Sequence, residues 1–395
     1  MKALILYPYP VEFDGLSLQG YYLMKGLKEL GIKVLSCDRD DSIQKKWAFE
    51  HFKPDVAIGI GCWVDTPDLI IQPLKYGIKP IPWLNADGWI ANYQNILNKL
   101  SLIVATSNWV KSTYIRDGVN GDNIHVCPIG FNPEYFYPLP KDDPGRKKLR
   151  ELLGVKEEEK MILTIGGDLT SKGAQEMFKA IAKIKDDIPN WKYVCKCMDS
   201  FSSRNHGKEE RLLIKELGLD KNIIYLNDPF SPDFMAQLLN ACDIYAAPSR
   251  LEGFGMIQLE AQACGKPVIS INVGGPRDTI INNKTGFLVD VEYEIKLNSE
   301  WVYPHMGFEK KQVIEFPIPK TFAYRANIDQ LAEYTKKLLT DDKLAEKMGK
   351  SASEHAFKNF HYKVVAQKML DLINQNVLDK QNIIQSAKKI SIERQ

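Results

Sequence analysis

Short apolar runs recur along the chain, each followed by a helical stretch, and the series is written twice. In the first half the runs fall at 2–7, 32–36, 56–60, 79–84, 102–105 and 124–128. Runs with no apolar–polar alternation fit strands covered on both faces, and strands separated by helices pair in parallel. Apolar positions over 17–30 repeat at helical spacing and stop at Gly31, a C-terminal helix signal. A second series places strands at 161–165, 193–197, 223–226, 244–247 and 268–271, with helices predicted over 174–184, 209–217 and 232–240. Between the halves, 137–145 gathers Pro138, Pro140, Pro144 and Gly145 among charges, the composition of a connection. The expected class is α/β, with two Rossmann-like domains whose parallel sheets face a central cleft. Ligands of such sheets bind beyond the carboxyl ends of the strands.

The predicted division is 1–140, then 141–360, then 361–395 as a helix crossing back toward the first domain with a polar tail. Residues 291–325 interrupt the second half with aromatics, prolines and charges, and read as an insertion of undefined structure, a lid or an ornament. Helices are predicted over 327–340, 342–358 and 362–376, with fraying or disorder from 377 to the end.

Composition excludes several classes. The 395 residues carry a formal net charge of +2, so no electrostatic case exists for nucleic acid as partner. Seven cysteines, an odd number set mostly in apolar runs, favour a reducing compartment over a disulfide scaffold. Cys195 and Cys197 read as strand thiols on opposite faces of a sheet, since their spacing does not suit zinc. The opening apolar run is too short for a signal peptide, and none approaches the ~18 residues of a membrane span. A cytoplasmic location is expected. The basic-aromatic stretch 45–53 leaves open an amphipathic surface helix or a weak peripheral contact with the inner membrane face.

The most specific stretch is 249–269, SRLEGFGMIQLEAQACGKPVI. It sets Glu252 and Glu260 eight positions apart, with a glycine turn after the first and a helix carrying the second. Eight residues is a little over two turns, which points Glu260 back toward the turn. Two carboxylates can grip two groups of hydroxyls, and the helix start between them suits phosphate. Hydroxyls, phosphates and hydroxyls again describe a nucleotide sugar.

With this stretch, the runs VGGPRD at 273–278, KTGFLV at 284–289, SNWV at 107–110 and PIGFN at 128–132 with Phe136 occur in one order, as does 166–173. In that set the chain resembles the GT-B-fold retaining glycosyltransferases of family 4, from residue 1 to about 375 outside the insertion. The resemblance implies transfer of a sugar from a nucleotide-diphosphate sugar to an acceptor hydroxyl on a glycan, glycolipid or small molecule. Glu252 matches the glutamate on the donor sugar's hydroxyls, and Glu260 the one on the ribose. Backbone N–H groups of Gly253, Phe254, Gly255 and Met256 match those facing sugar and diphosphate. Lys172 matches the diphosphate lysine, and Gly15 the glycine of the first-domain loop. Glycine at Gly15, Gly166, Gly253 and Gly255 also lets backbone approach closely. No cofactor is implied, and no obligatory metal is expected.

Two departures qualify the match. Gly167 stands where the family places an arginine beside the lysine, so either another cation such as Lys196 or Arg204 substitutes, or the donor is held differently. The family's first-domain histidine is replaced by Trp83-Leu84-Asn85-Ala86-Asp87-Gly88, which makes Asp87 the candidate for an acceptor-facing role. The alternative function is a nucleotide-sugar-binding protein with lapsed or epimerase-like chemistry. The six histidines show no metal-ligand spacing.

Overall fold

A computed structural model describes residues 1–378 apart from Phe13, Asp87 and Asp199, and Phe201 by its backbone alone. The expectation for Asp87 and most of that for the tail therefore lie outside the described residues. The chain divides into two units. Unit 1 holds Met1–Gly130, Ser299–Phe316 and the chain from Phe360 onward; unit 2 holds Phe131–Asn298 and Pro317–Asn359.

Unit 1 is built on six strands: β1 (Lys2–Tyr7), β2 (Lys33–Asp38), β3 (Val56–Gly61), β4 (Lys79–Leu84), β5 (Ile103–Ala105) and β6 (Ile124–Val126). They lie in the order β2-β1-β3-β4-β5-β6, all parallel. Every residue of β3 is buried, as a run covered on both faces must be. Leu4, Leu6, Ala57, Leu69, Leu84, Ile103 and Val110 belong to its core. The first helix, Gly15–Glu29, starts where Asp14 accepts from the Leu16 and Ser17 N–H groups at 2.8 and 3.1 Å. Its outer face is covered by the helix Tyr362–Ile373, against which Gly26 lies so closely that an added Cβ would stand 2.5 Å from that of Ala366. Tyr362 donates to Glu29 at 2.7 Å across the same contact.

Unit 2 repeats the architecture with β7 (Lys160–Ile165), β8 (Trp191–Lys196), β9 (Ile223–Leu226), β10 (Ile244–Ala247), β11 (Val268–Ile271) and β12 (Gly286–Val289). Their order is β12-β11-β10-β7-β8-β9, again parallel. Helices Ala174–Ile184 and Ile328–Thr340 cover one face of the sheet, and Met177, Phe178, Ile181, Tyr193, Ile244 and Leu331 meet in its core.

Three expectations need correction. Cys195 and Cys197 face the same core, not opposite sides, because residues two apart in a strand share a face. The helix expected from 209 begins at Phe201, where Ser200 and Ser203 cap each other's backbone N–H groups. The insertion is an ordered pair of strands, β13 (Val291–Val302) and β14 (Gln312–Ala326). Their nine-residue link is too short for a parallel crossover, so they form a hairpin. Pro317 and Pro319 are tolerated because each strand of a two-stranded sheet has one open edge. The stretch 45–53 turns partly inward: Lys45 is buried against Asp68 at 2.6 Å and Phe49 is in the core, while Trp47 is exposed. Among the described residues no helix is long and apolar enough to cross a membrane.

Candidate active site

Strands β7 and β10 are neighbours in unit 2, so the loops leaving their carboxyl ends lie side by side. Lys172 sits in the loop after β7 and Glu252 in the loop after β10. Their side chains meet, Nζ to Oε2, at 2.7 Å. Both are partly covered, the lysine side chain 26% and the glutamate 15% exposed, so a ligand can still reach the pair. Gly166 makes room for it: a Cβ there would stand 2.4 Å from Cγ of Lys172. At Gly167 an added Cβ would meet nothing within 4 Å, so glycine is not required there to avoid a clash at that atom.

Backbone contacts hold both loops. Lys172 N–H donates to Leu169 O at 2.9 Å and Gly173 N–H to Thr170 O at 3.1 Å, closing the turn that precedes the helix Ala174–Ile184. Gly173 has φ +83°, and its absent Cβ would lie 2.3 Å from the carbonyl oxygen of Pro248, so the two loops pack backbone on backbone. Thr170 donates to the buried carboxyl of Glu210 at 2.7 Å, and Tyr225 donates to the same group at 3.0 Å. Burial raises the pKa of Glu210, an effect partly offset by these two donors. On the other side Gly275 N–H donates to the Glu252 carbonyl at 2.9 Å.

After Glu252 the turn Gly253-Phe254-Gly255 leads into the helix Met256–Ala263, with Gly255 at φ +95° as its N-cap. Phe254 is buried and anchors the turn. The first N–H groups of a helix have no intrahelical acceptors, which makes this end suited to an anion. Glu260, two turns on, is 5% exposed; its backbone carbonyl accepts from the Cys264 N–H at 3.0 Å, while among the described residues its carboxyl has neither a hydrogen bond nor an ion pair. Burial pushes its carboxyl up to about 8.

The structure thus gathers Lys172, Glu252, Gly166 and the Gly253–Met256 turn in unit 2. Gly15 belongs to unit 1, as the first, exposed residue of the helix Gly15–Glu29. Of the alternative cations, Lys196 ends β8, is buried, and lies over the Phe230 ring at 5.5 Å. Arg204 lines a cavity of about 250 Å³ with Leu169, Cys197, Met198, Tyr225 and Asn227. Sequence reasoning missed Arg250, Glu176 and Glu210, whose roles depend on partners 40 to 75 residues away. Among the described residues no group of three His, Cys, Asp or Glu side chains is arranged to hold a metal.

Residues 145–300 match the family described as glycosyl transferases group 1. The chain is similar to the D-inositol 3-phosphate glycosyltransferase of Corynebacterium glutamicum (strain R), 29% identical over 286 residues, covering 72% of this chain and 59% of that protein. The enzyme of the same name from Corynebacterium jeikeium (strain K411) is 32% identical over 203 residues, 51% of this chain and 48% of that one. The chain therefore spans about half to three-fifths of the length of these relatives. In structure it resembles Anabaena HepE in complex with UDP and glucose, with a TM-score of 0.72, 18% identity, and 95% and 100% of the two chains covered. A glycosyltransferase from Rickettsia africae ESF-5 aligns with a TM-score of 0.74, 19% identity, and 95% and 98% coverage. Residues 145–300 thus match a group 1 glycosyl transferase domain, within a chain of GT-B fold.

Proposed function

We propose that the protein transfers a sugar from a nucleoside-diphosphate sugar to an acceptor hydroxyl, retaining the anomeric configuration and needing no divalent metal. The observation that carries this reading is the Lys172–Glu252 contact of 2.7 Å at the mouth of two adjacent strands, next to a helix start. A bound donor would exchange that contact for two others. The diphosphate takes the ammonium and the N–H groups of the Gly253–Met256 turn, and the freed Glu252 carboxylate accepts from sugar hydroxyls. As the bond from the anomeric carbon to the diphosphate breaks, negative charge grows on the departing oxygen. Fixed cation and N–H donors stabilise that charge where it develops. The acceptor oxygen bonds to the anomeric carbon from the face the diphosphate leaves, and its proton passes to the departing phosphate oxygen. No protein nucleophile is required.

The names of the relatives make inositol 3-phosphate the first acceptor to try, and UDP-glucose, suggested by the complexes of HepE, the first donor. The deciding assay is release of nucleoside diphosphate from UDP, GDP and ADP sugars, with and without that acceptor. Glu252→Ala and Lys172→Ala should each lower turnover about a hundredfold or more, and EDTA should leave the rate unchanged. Proton NMR of the product reads the anomer. Wild-type rates in both variants would remove the assignment.

A further inference from the structure

Arg250 lies two residues before Glu252 and belongs to neither partner of the ion pair, yet three segments of unit 2 converge on it. Its N–H donates to the carbonyl of Ser171, the residue before Lys172, at 2.9 Å. Its own carbonyl accepts from the Tyr324 N–H of β14 at 2.6 Å. Its guanidinium reaches the helix that follows Lys172, with Nε 3.0 Å from Oε1 of Glu176 and Nη2 3.1 Å from Oε1 of Gln175. Glu176 is 5% exposed and takes a second cation, Arg325 of β14, at 3.5 Å. Its other oxygen, Oε2, is buried without a hydrogen bond.

We propose that Arg250 is a positioning residue for the Lys172–Glu252 pair, and that the hairpin β13–β14 is the brace that fixes Arg250 from behind. The inference rests on the transferase reading above and assigns the inserted segment a part in it. One backbone N–H sets the loop that carries the lysine, while the same residue's position in the chain sets the glutamate. A shift of either loop separates a contact that spans 2.7 Å. Displacement of a reacting group by about 1 Å can cost on the order of a hundredfold in rate. A planar guanidinium can serve Gln175 and Glu176 together, which the single ammonium of a lysine does less well.

The test compares Arg250→Met, Arg250→Lys, Tyr324→Pro and Tyr324→Ala, using the donor that the wild type cleaves fastest among UDP, GDP and ADP sugars. Proline removes the N–H that Arg250 accepts, whereas alanine keeps it, so that pair isolates the brace even if Arg250→Met fails to fold. The expected result is a kcat lowered about a hundredfold in Arg250→Met and Tyr324→Pro with donor KM changed less than about threefold. Arg250→Lys should recover part of the loss and Tyr324→Ala nearly all of it, with melting temperatures showing each variant folded. Equal kcat in Tyr324→Pro and Tyr324→Ala, or wild-type kcat in Arg250→Met, overturns the proposal and leaves the transferase reading standing. A wild type that cleaves no donor removes that reading, and this role with it, before any variant is made.

Discussion

Glu260 illustrates how a single buried acid can report on a ligand. Its carboxyl is enclosed without a charge partner and titrates near 8 in the fold, against an ordinary 4.5. The native state therefore holds a proton that the unfolded chain has lost, and stability falls as pH rises from 4.5 toward 8. Glu260→Gln should flatten that part of the stability curve, a difference of a few kcal/mol at most, measured by urea denaturation across the range. Ribose hydroxyls would donate to the ionised carboxylate, so nucleotide binding should release a proton below pH 8 in the wild type and not in the glutamine variant. Calorimetry in buffers of different ionisation enthalpy reads that proton; identical heats for both proteins would remove Glu260 from the nucleotide site. The sequence made this residue legible because its helical spacing from Glu252 is a local property. Arg250 lies in the same stretch but was not legible, since its partners Glu176 and Tyr324 come from elsewhere in the chain.

Among the elements, the glycine pair Gly274-Gly275 shows why a loop can be as fixed as a strand. An added Cβ at Gly275 would stand 2.3 Å from Cα of Phe254 and 2.4 Å from the carbonyl oxygen of Gly253. Both are backbone atoms, so the Gly253-Phe254-Gly255 turn would have to move. Gly275→Ala should cost about 1–3 kcal/mol of stability and weaken nucleoside-diphosphate binding; unchanged denaturation midpoint and affinity would refute the contact. The buried strands were readable from their unbroken apolar runs, with β4 matching its expected limits of 79 and 84. The hairpin was not read, since 291–325 was left undefined, although Val291, Tyr293, Ile295 and Leu297 alternate with Glu292, Glu294, Lys296 and Asn298. Its prolines and aromatics masked a period of two, because a strand with an open edge tolerates proline where a central one does not.

For the molecule as a whole, the doubled strand-helix series implied two parallel sheets, and two six-stranded parallel sheets are present. Which nucleotide the proposed donor would carry was not readable, because a base is recognised by pocket shape rather than by a run of residue types. A thermal-shift panel of UDP, GDP and ADP addresses it: a ligand at one hundred times its dissociation constant should add about 2.7 kcal/mol of stability. One base should stand clear of the other two, and no shift with any of them would argue against a nucleotide donor. The covering of Gly15–Glu29 by Tyr362–Ile373 carries a further consequence. During synthesis the ribosome makes all of unit 2 before it delivers the helix that closes unit 1. Unit 1, which starts to emerge before unit 2, is therefore finished after it, and a nascent chain halted before Tyr362 would display the bare flank of the helix Gly15–Glu29.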